Sequence, residues 1–210
     1  MSEPLRDLAT TRLASLCLNR RGRPRRLTFD DHLVRAALVV DLAIGGALTE
    51  NVTAVDLDAE RAEQLGLGDV AADLTAVGAP LSEWILRGGI DFGHWTRRLV
   101  EAGIWIPRRR WPLAPRYDDV HRARTDDDRA MGSLPWPERD STVTTLAVTA
   151  LGRVARLFGE PDPAFDLPDV DAPESWVLDG MGDVAWAGSL AVGTLTDLYA
   201  KLRPGAISLG

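Results

Sequence analysis

The sequence predicts a mainly α-helical single domain, arranged around a central hydrophobic helix bundle with a short β-hairpin at the edge. Three observations predict it. Leu33–Leu48, LVRAALVVDLAIGGAL, is apolar on every side of a helix, and only Arg35 and Asp41 interrupt it. Two further stretches, at 142–158 and 184–202, are also mostly apolar. Ile104–Trp105–Ile106 is followed by Pro107 and an arginine run, which reads as a tight hairpin.

A helix apolar all round belongs inside a protein or inside a membrane. The two charges within 33–48, and a length short of the ~20 apolar residues that a bilayer span needs, place it inside a protein. Thr28 is positioned to cap its first turn, where Asp30 and Asp31 favour a helix N-terminus. Gly45 and Gly46 mark where the helix loosens or lets a neighbour approach closely.

At 210 residues the chain fits one domain, with residues 5–202 as its folded core. Its 31 acidic and 24 basic side chains give a net charge of −7, which disfavours nucleic-acid binding by the surface as a whole. Lys201 is the only lysine, so nearly every cation is an arginine. One cysteine, Cys17, excludes an internal disulfide framework and fits a reducing compartment. The first residues carry acids and no apolar run, so no signal peptide is expected. A cytoplasmic protein, peripheral on a membrane at most, is the expectation.

Taken in order, residues 4–17 predict an amphipathic helix through Leu5, Leu8, Ala9, Leu13 and Leu16. Asn19–Arg26, NRRGRPRR, places five arginines in eight residues around Gly22 and Pro24. It reads as a basic loop, either solvated or held against phosphate. Glu50–Asp58 suggests a short strand or extended segment. Residues 59–79 suggest one or two short helices broken at Gly66, Gly68 and Gly78. Pro80 opens a helix that Gly88 and Gly89 end. Asp91 caps another, whose stripe is Phe92, Trp95, Leu99 and Ala102 and which Gly103 closes. Trp111–Pro112–Leu113 is expected as the return arm of the hairpin, with Arg108–Arg110 at its tip. Residues 116–131, charged on nearly all sides, predict a surface helix at best, with Asp126–Asp128 as a solvated acidic face. Leu134–Glu138 reads as a linker, and Ser141 opens a core helix. Glu160–Glu174 reads as a loop, and helical pieces from Ser175 break near Gly180 and Gly182. The tail beyond Pro204 is expected to fray.

No phosphate-binding loop, dinucleotide fingerprint or nucleophile elbow is present, and His32, His94 and His121 lie on separate segments. His32 behind Asp30 and Asp31 is the nearest approach to a metal cluster, and a helix's first turn explains those acids better. No cofactor, metal or enzymatic activity is expected. The positive feature is arginine beside aromatic side chains: Arg97 and Arg98 after Trp95, and Arg108, Arg109 and Arg110 before Trp111. Such groups suit anionic lipid, with tryptophan at interfacial depth and arginine on phosphate. The plainer reading puts Trp95 and Trp105 in the core. Arg35 has two readings as well. It pairs at the edge of the core, or it reaches from a rigid helix into an anion pocket.

Together, DLAIGGAL (Asp41–Leu48), RRLVEAGI (Arg97–Ile104) and RRWPL (Arg109–Leu113) stand in an order and spacing that resembles the bacterial branch of the Golgi phosphoprotein 3 family, over roughly Leu5–Leu202. The resemblance implies a helical domain with an edge hairpin. It also implies a peripheral membrane protein that, in eukaryotic members, binds phosphatidylinositol 4-phosphate and glycosyltransferase tails. Arg35 stands where that family's headgroup pocket has its helix arginine. The pocket's tryptophan falls near Arg26, and its two other arginines fall near Gly89 and Phe92, with Arg87 close by. The hairpin is short and arginine-tipped, where eukaryotic members carry an apolar tip. The function expected is non-enzymatic binding of phosphoinositide-like or other anionic headgroups through an arginine-rich face. Its residues are Arg26, Arg35, Arg87, Arg97, Arg98, Arg108, Arg109, Arg110 and Trp111. Membrane or biosynthetic enzymes are further candidate partners. A winged-helix nucleic-acid binder built on residues 95–111, or a scaffold without lipid binding, are the alternatives.

Overall fold

The protein is described from a computed structural model, over residues 3–25, 30–51, 55–108, 115–132, 141–158 and 175–201. Arg26, Thr28, Arg109, Arg110, Trp111–Leu113, Leu134–Glu138, Glu160–Glu174 and the tail after Pro204 lie outside those residues. The described chain is mainly helical with two small antiparallel strand pairs.

The central helix is α3, Asp30–Ile44, and its side chains from Leu33 to Ala43 are all buried. It begins with Asp30 and Asp31 in its first turn, as the charge pattern demands. It ends at glycines for two separate reasons. Gly46 sits at φ +72°, and a Cβ on Gly45 would lie 2.2 Å from a Leu65 methyl. Around α3 pack α2 (Ala9–Leu16), α6 (Leu81–Arg87), α9 (Val143–Val154) and α11 (Ala185–Lys201).

The first helix expected over 4–17 is two helices, α1 (Glu3–Arg6) and α2. The break has a tertiary cause. Leu8 at the start of α2 supplies no side-chain cap, and Asp41 of α3 takes the amides of Ala9 and Thr10 instead. The stretch 50–58, expected as a short strand or extended segment, belongs to a hairpin, β1 (Leu48–Glu50) paired with β2 (Val55–Leu57).

Helices α4 (Ala59–Gln64) and α5 (Gly68–Val77) follow, with Gly66 and Gly78 at positive φ between and after them. Helix α6 starts just after Pro80, and α7, Phe92–Glu101, is capped by Asp91 through the His94 amide. Trp95 and Leu99 of α7 are buried, with Phe92 and Ala102 packed against the core. Trp95 and Trp105 are therefore core residues and not interfacial ones.

The edge hairpin exists, but its return arm differs from the expected 111–113. Strand β3, Trp105–Arg108, pairs with β4, Arg116–Asp119, in the register Trp105↔Asp119 to Arg108↔Arg116. Trp105 anchors the base. Its indole donates to Ser15 Oγ at 3.1 Å, and its ring lies 5.2 Å from Tyr117 and 6.2 Å from Phe92.

Helix α8, Arg122–Gly132, docks on α2 and α9 in place of lying free on the surface. Its buried side chains are polar, Thr125 and Asp128. The Asp128 carboxylate pairs with Arg12 of α2 through both oxygens, and Arg12 also donates to Thr145 of α9 at 3.1 Å. Asp128 thus leaves the solvated acidic face that its neighbours suggested. Helix α10 is Ser175–Asp179, and a 3₁₀ turn at Gly182–Val184 leads into α11.

Candidate functional site

Arginines dominate the cations, so what each guanidinium already holds decides which of them face a ligand. The last carbonyls of a helix lack intrahelical donors, and a cation there also meets the negative end of the helix dipole. Five arginines serve that purpose. Arg35 donates to Ile85, Leu86, Gly88 and Ile90 carbonyls at 2.6–3.3 Å, closing α6. Arg61 Nε donates to Gly45 O at 2.8 Å after α3, and Arg129 to Leu18 O at 2.6 Å after α2. Arg124 reaches Arg6 O at the end of α1, and Arg98 reaches Gly66 O after α4.

This settles Arg35's surroundings. The residue is 5% exposed, and backbone carbonyls surround the guanidinium. Burial lowers its pKa, while Asp31, Asp73 and Asp91 nearby support the charge. An outward reach into an anion pocket is not what the structure places there. Pairing with a carboxylate at the core edge is not its main bond either. Asp41, one and a half turns further along, does the reverse job at the N-terminus of α2. It accepts from Ala9 N at 2.7 Å, Thr10 N at 2.9 Å and Thr10 Oγ1 at 2.5 Å. Burial raises its pKa to about 6, against the lowering effect of those bonds.

The other expected ligand residues divide. Arg98 pairs with Asp69 at 2.7 Å and lies 5.0 Å over the Trp95 ring. Arg87 is exposed and pairs with Glu83 one turn back at 3.1 Å. Arg97 is exposed on α7. None of these three, nor Arg35, lines the basic cleft described next. Of the acids before His32, Asp31 has a structural task, since it accepts the Phe92 amide at 2.9 Å. Among the described residues, no cluster of three or more histidine, cysteine or acidic side chains is placed to hold a metal ion.

Arg108 belongs to that cleft. The basic loop is an ordered turn: Asn19 Oδ1 accepts from the amides of Arg21 and Arg23 at 2.8 and 3.1 Å, and Leu18 bridges to Pro24. The turn docks on β4, where Tyr117 N donates to Gly22 O at 2.8 Å. Gly22 is required at that contact. It sits at φ +71°, and a Cβ would lie 2.1 Å from Tyr117 O.

The docking leaves a cleft of about 440 Å³ between the turn, the hairpin and α8. Six arginines line it, Arg20, Arg21, Arg108, Arg116, Arg122 and Arg129, against two carboxylates, Asp118 and Asp119. Arg108 pairs with Asp118, and Arg122 lies 3.7 Å from Asp126. Asp119 is turned inward to Thr125 Oγ1 and the His121 amide. Among the described residues, the guanidinium groups of Arg20 and Arg21 hold no carboxylate, and both side chains are exposed. Such an excess of planar, bidentate donors in a concave site suits phosphate or another oxyanion.

Sequence reasoning found the loop and the hairpin as separate basic features. It missed Arg116, Arg122 and Arg129, which reach the cleft only through the pairing of β4 and the docking of α8. It also missed a second, apolar cavity between β1–β2, the α5–α6 corner and α11.

The fold and cleft define a mainly helical protein with an arginine-lined recess beside an edge hairpin. Comparison with protein-family models, with curated proteins and with solved structures returned no match.

Proposed function

We propose that the protein is a non-enzymatic, peripheral phospholipid-binding protein whose arginine cleft holds anionic headgroups. The observation that carries this reading is the Gly22–Tyr117 docking, which sets Arg20 and Arg21 of the loop beside Arg108 and Arg116 of the hairpin. Two apolar side chains of the same hairpin, Ile106 and Val120, are each 53% exposed and supply a shallow hydrophobic contact beside the charges. No described helix is long and apolar enough to cross a membrane, which suits binding from one side. The resemblance to the Golgi phosphoprotein 3 family points the same way, although its helix arginine, Arg35, is spent here on α6. The ligand is thus read as a phosphoinositide or another anionic headgroup in this cleft.

Liposome co-sedimentation tests the proposal. Vesicles of phosphatidylcholine alone are compared with vesicles containing phosphatidylglycerol or phosphatidylinositol 4-phosphate, with inorganic phosphate as competitor. Binding is expected only with anionic lipid and is expected to weaken with salt, as the Debye length falls from ~30 Å at 0.01 M to ~8 Å at 0.15 M. Reversal of Arg20, Arg21 and Arg108 to Glu is expected to weaken it by at least about two orders of magnitude, at ~1 kcal/mol per cation near an anionic surface. Arg97→Glu, outside the cleft, serves as control. Vesicle binding untouched by the triple reversal, or absent with every lipid, overturns the reading. Capture of duplex DNA at low salt with no vesicle binding replaces it with a nucleic-acid role.

A further inference from the structure

The apolar cavity has a volume of about 960 Å³ and shares no lining residue with the arginine cleft. That volume is in the range of small-molecule sites, ~300–1,000 Å³. Leu48, Leu57, Leu74, Leu81, Trp186 and Leu190 form its apolar walls. They come from five elements that the fold holds together for other reasons. Strands β1 and β2 pair in fixed register, the α5–α6 corner is closed by Asp73 on the Trp84 indole and the Gly89 amide, and α11 packs along α3. The walls are thus set by the fold before any ligand arrives.

The polar side chains are few, three hydroxyls and one carboxylate. Thr75 donates its hydroxyl to Ala71 O at 2.8 Å, so its hydrogen is committed. Ser82 and Ser189 add neutral hydroxyls, and among the described residues no lysine, arginine or histidine lines the space. Among the described residues Glu50 is the only ionised lining group, exposed at the end of β1 and without an ion-pair partner there. Carboxylates in the 31-to-24 acidic majority elsewhere are commonly answered by arginine, as Asp69, Asp118 and Asp128 are.

We propose that this cavity binds the alkyl chain of a cationic amphiphile, with the Glu50 carboxylate at its rim holding the cationic end. Leucine and tryptophan walls reward burial of an unbranched apolar chain. A lone carboxylate attracts an ammonium group and repels a fatty-acid or phosphate end. The site is therefore opposite in charge preference to the arginine cleft. The two proposals stand or fall separately.

Amide-resolved NMR titrations with octylammonium, octanol and octanoate, below their aggregation concentrations, test the inference, because the three probes share a chain and differ only at the end. Octylammonium is expected to shift the amides of Glu50, Leu81 and Leu190 and to bind about threefold more tightly than octanol, the factor a partly solvated charge pair supplies. Octanoate is expected to bind more weakly than octanol. Glu50→Gln should bring octylammonium down to octanol's affinity, whereas Glu101→Gln on α7 should leave the difference intact. Ser189→Trp and Ser82→Trp place an indole in the cavity from solvent-accessible positions, and both should remove binding of all three probes with Tm unchanged. No shifts with octylammonium, octanoate binding as tightly as octylammonium, or binding that survives both tryptophan variants overturns the proposal.

Discussion

Arg35 and Asp41 stand on the same buried helix, and each closes the open end of a different neighbour. Arg35 fills the carbonyl end of α6, and Asp41 fills the amide end of α2. The two charges that interrupt an otherwise apolar helix are therefore joints that orient its surroundings. Each matches the sign of the dipole end it meets.

Asp41 gives a pH signature. Its carboxyl moves from an ordinary 3.8 to about 6, so the folded chain holds this proton more tightly than the unfolded chain does. Folding stability from this group is then greatest below about pH 4 and is lost as the pH rises through about 6, by on the order of 3 kcal/mol. Asp41→Asn should flatten that part of the profile while lowering stability at every pH, because an amide offers one acceptor where α2 needs two. Denaturant melts from pH 4 to 7 check the slope, and a carboxyl carbon titrating near pH 6 by NMR checks the group.

Arg35→Lys should cost about 2–3 kcal/mol, since a single ammonium cannot reach four separated carbonyls and leaves buried acceptors unmet. Urea midpoints measure the loss. Vesicle binding by the folded variant should equal that of the wild type, because the residue faces α6 and not the cleft. Loss of binding with stability intact would return Arg35 to a ligand role.

The Arg12–Asp128 pair ties α2 to α8, and Arg12 adds α9 through Thr145. Asp128→Ala should destabilise by about 3–5 kcal/mol, since it strands a buried guanidinium. The double variant Arg12→Met/Asp128→Leu should recover most of that loss, because neither charge is then left alone. A double-mutant cycle on unfolding free energies decides it.

Gly22→Ala should cost about 1–2 kcal/mol from the left-handed backbone alone. It also drives a methyl into the Tyr117 carbonyl. The turn should lift from β4 and carry Arg20 and Arg21 away from Arg108. Thermal melts and vesicle binding, measured side by side, should show a larger loss in binding than in stability.

Local punctuation made much of this fold legible. Pro80, Asp91, Gly78 and Gly103 mark helix ends that the structure keeps, and the buried character of α3 and α9 follows from their composition. What stayed hidden depends on partners far along the chain. The α1–α2 break needs Asp41, 32 residues from Ala9, and the burial of α8 needs Arg12, 116 residues from Asp128. RYDD looks helical in its charged context, yet it is β4 because Trp105 and Ile106 offer it a strand to pair with. The cleft followed the same rule. Arg20 and Arg108 carry their charge in the sequence, but their meeting rests on one amide of Tyr117 and a glycine.

The docked turn has a consequence for how copies of this chain meet one another. A two-stranded ribbon has an unpaired edge on each side, and an open edge invites strands from other molecules. On β4 the outward Tyr117 amide is already taken by Gly22. On β3 the residue opposite is Pro107, which has no amide to offer. Both sides of the ribbon are blunted at the same rung, so the hairpin can stand out from the helices without templating its own aggregation.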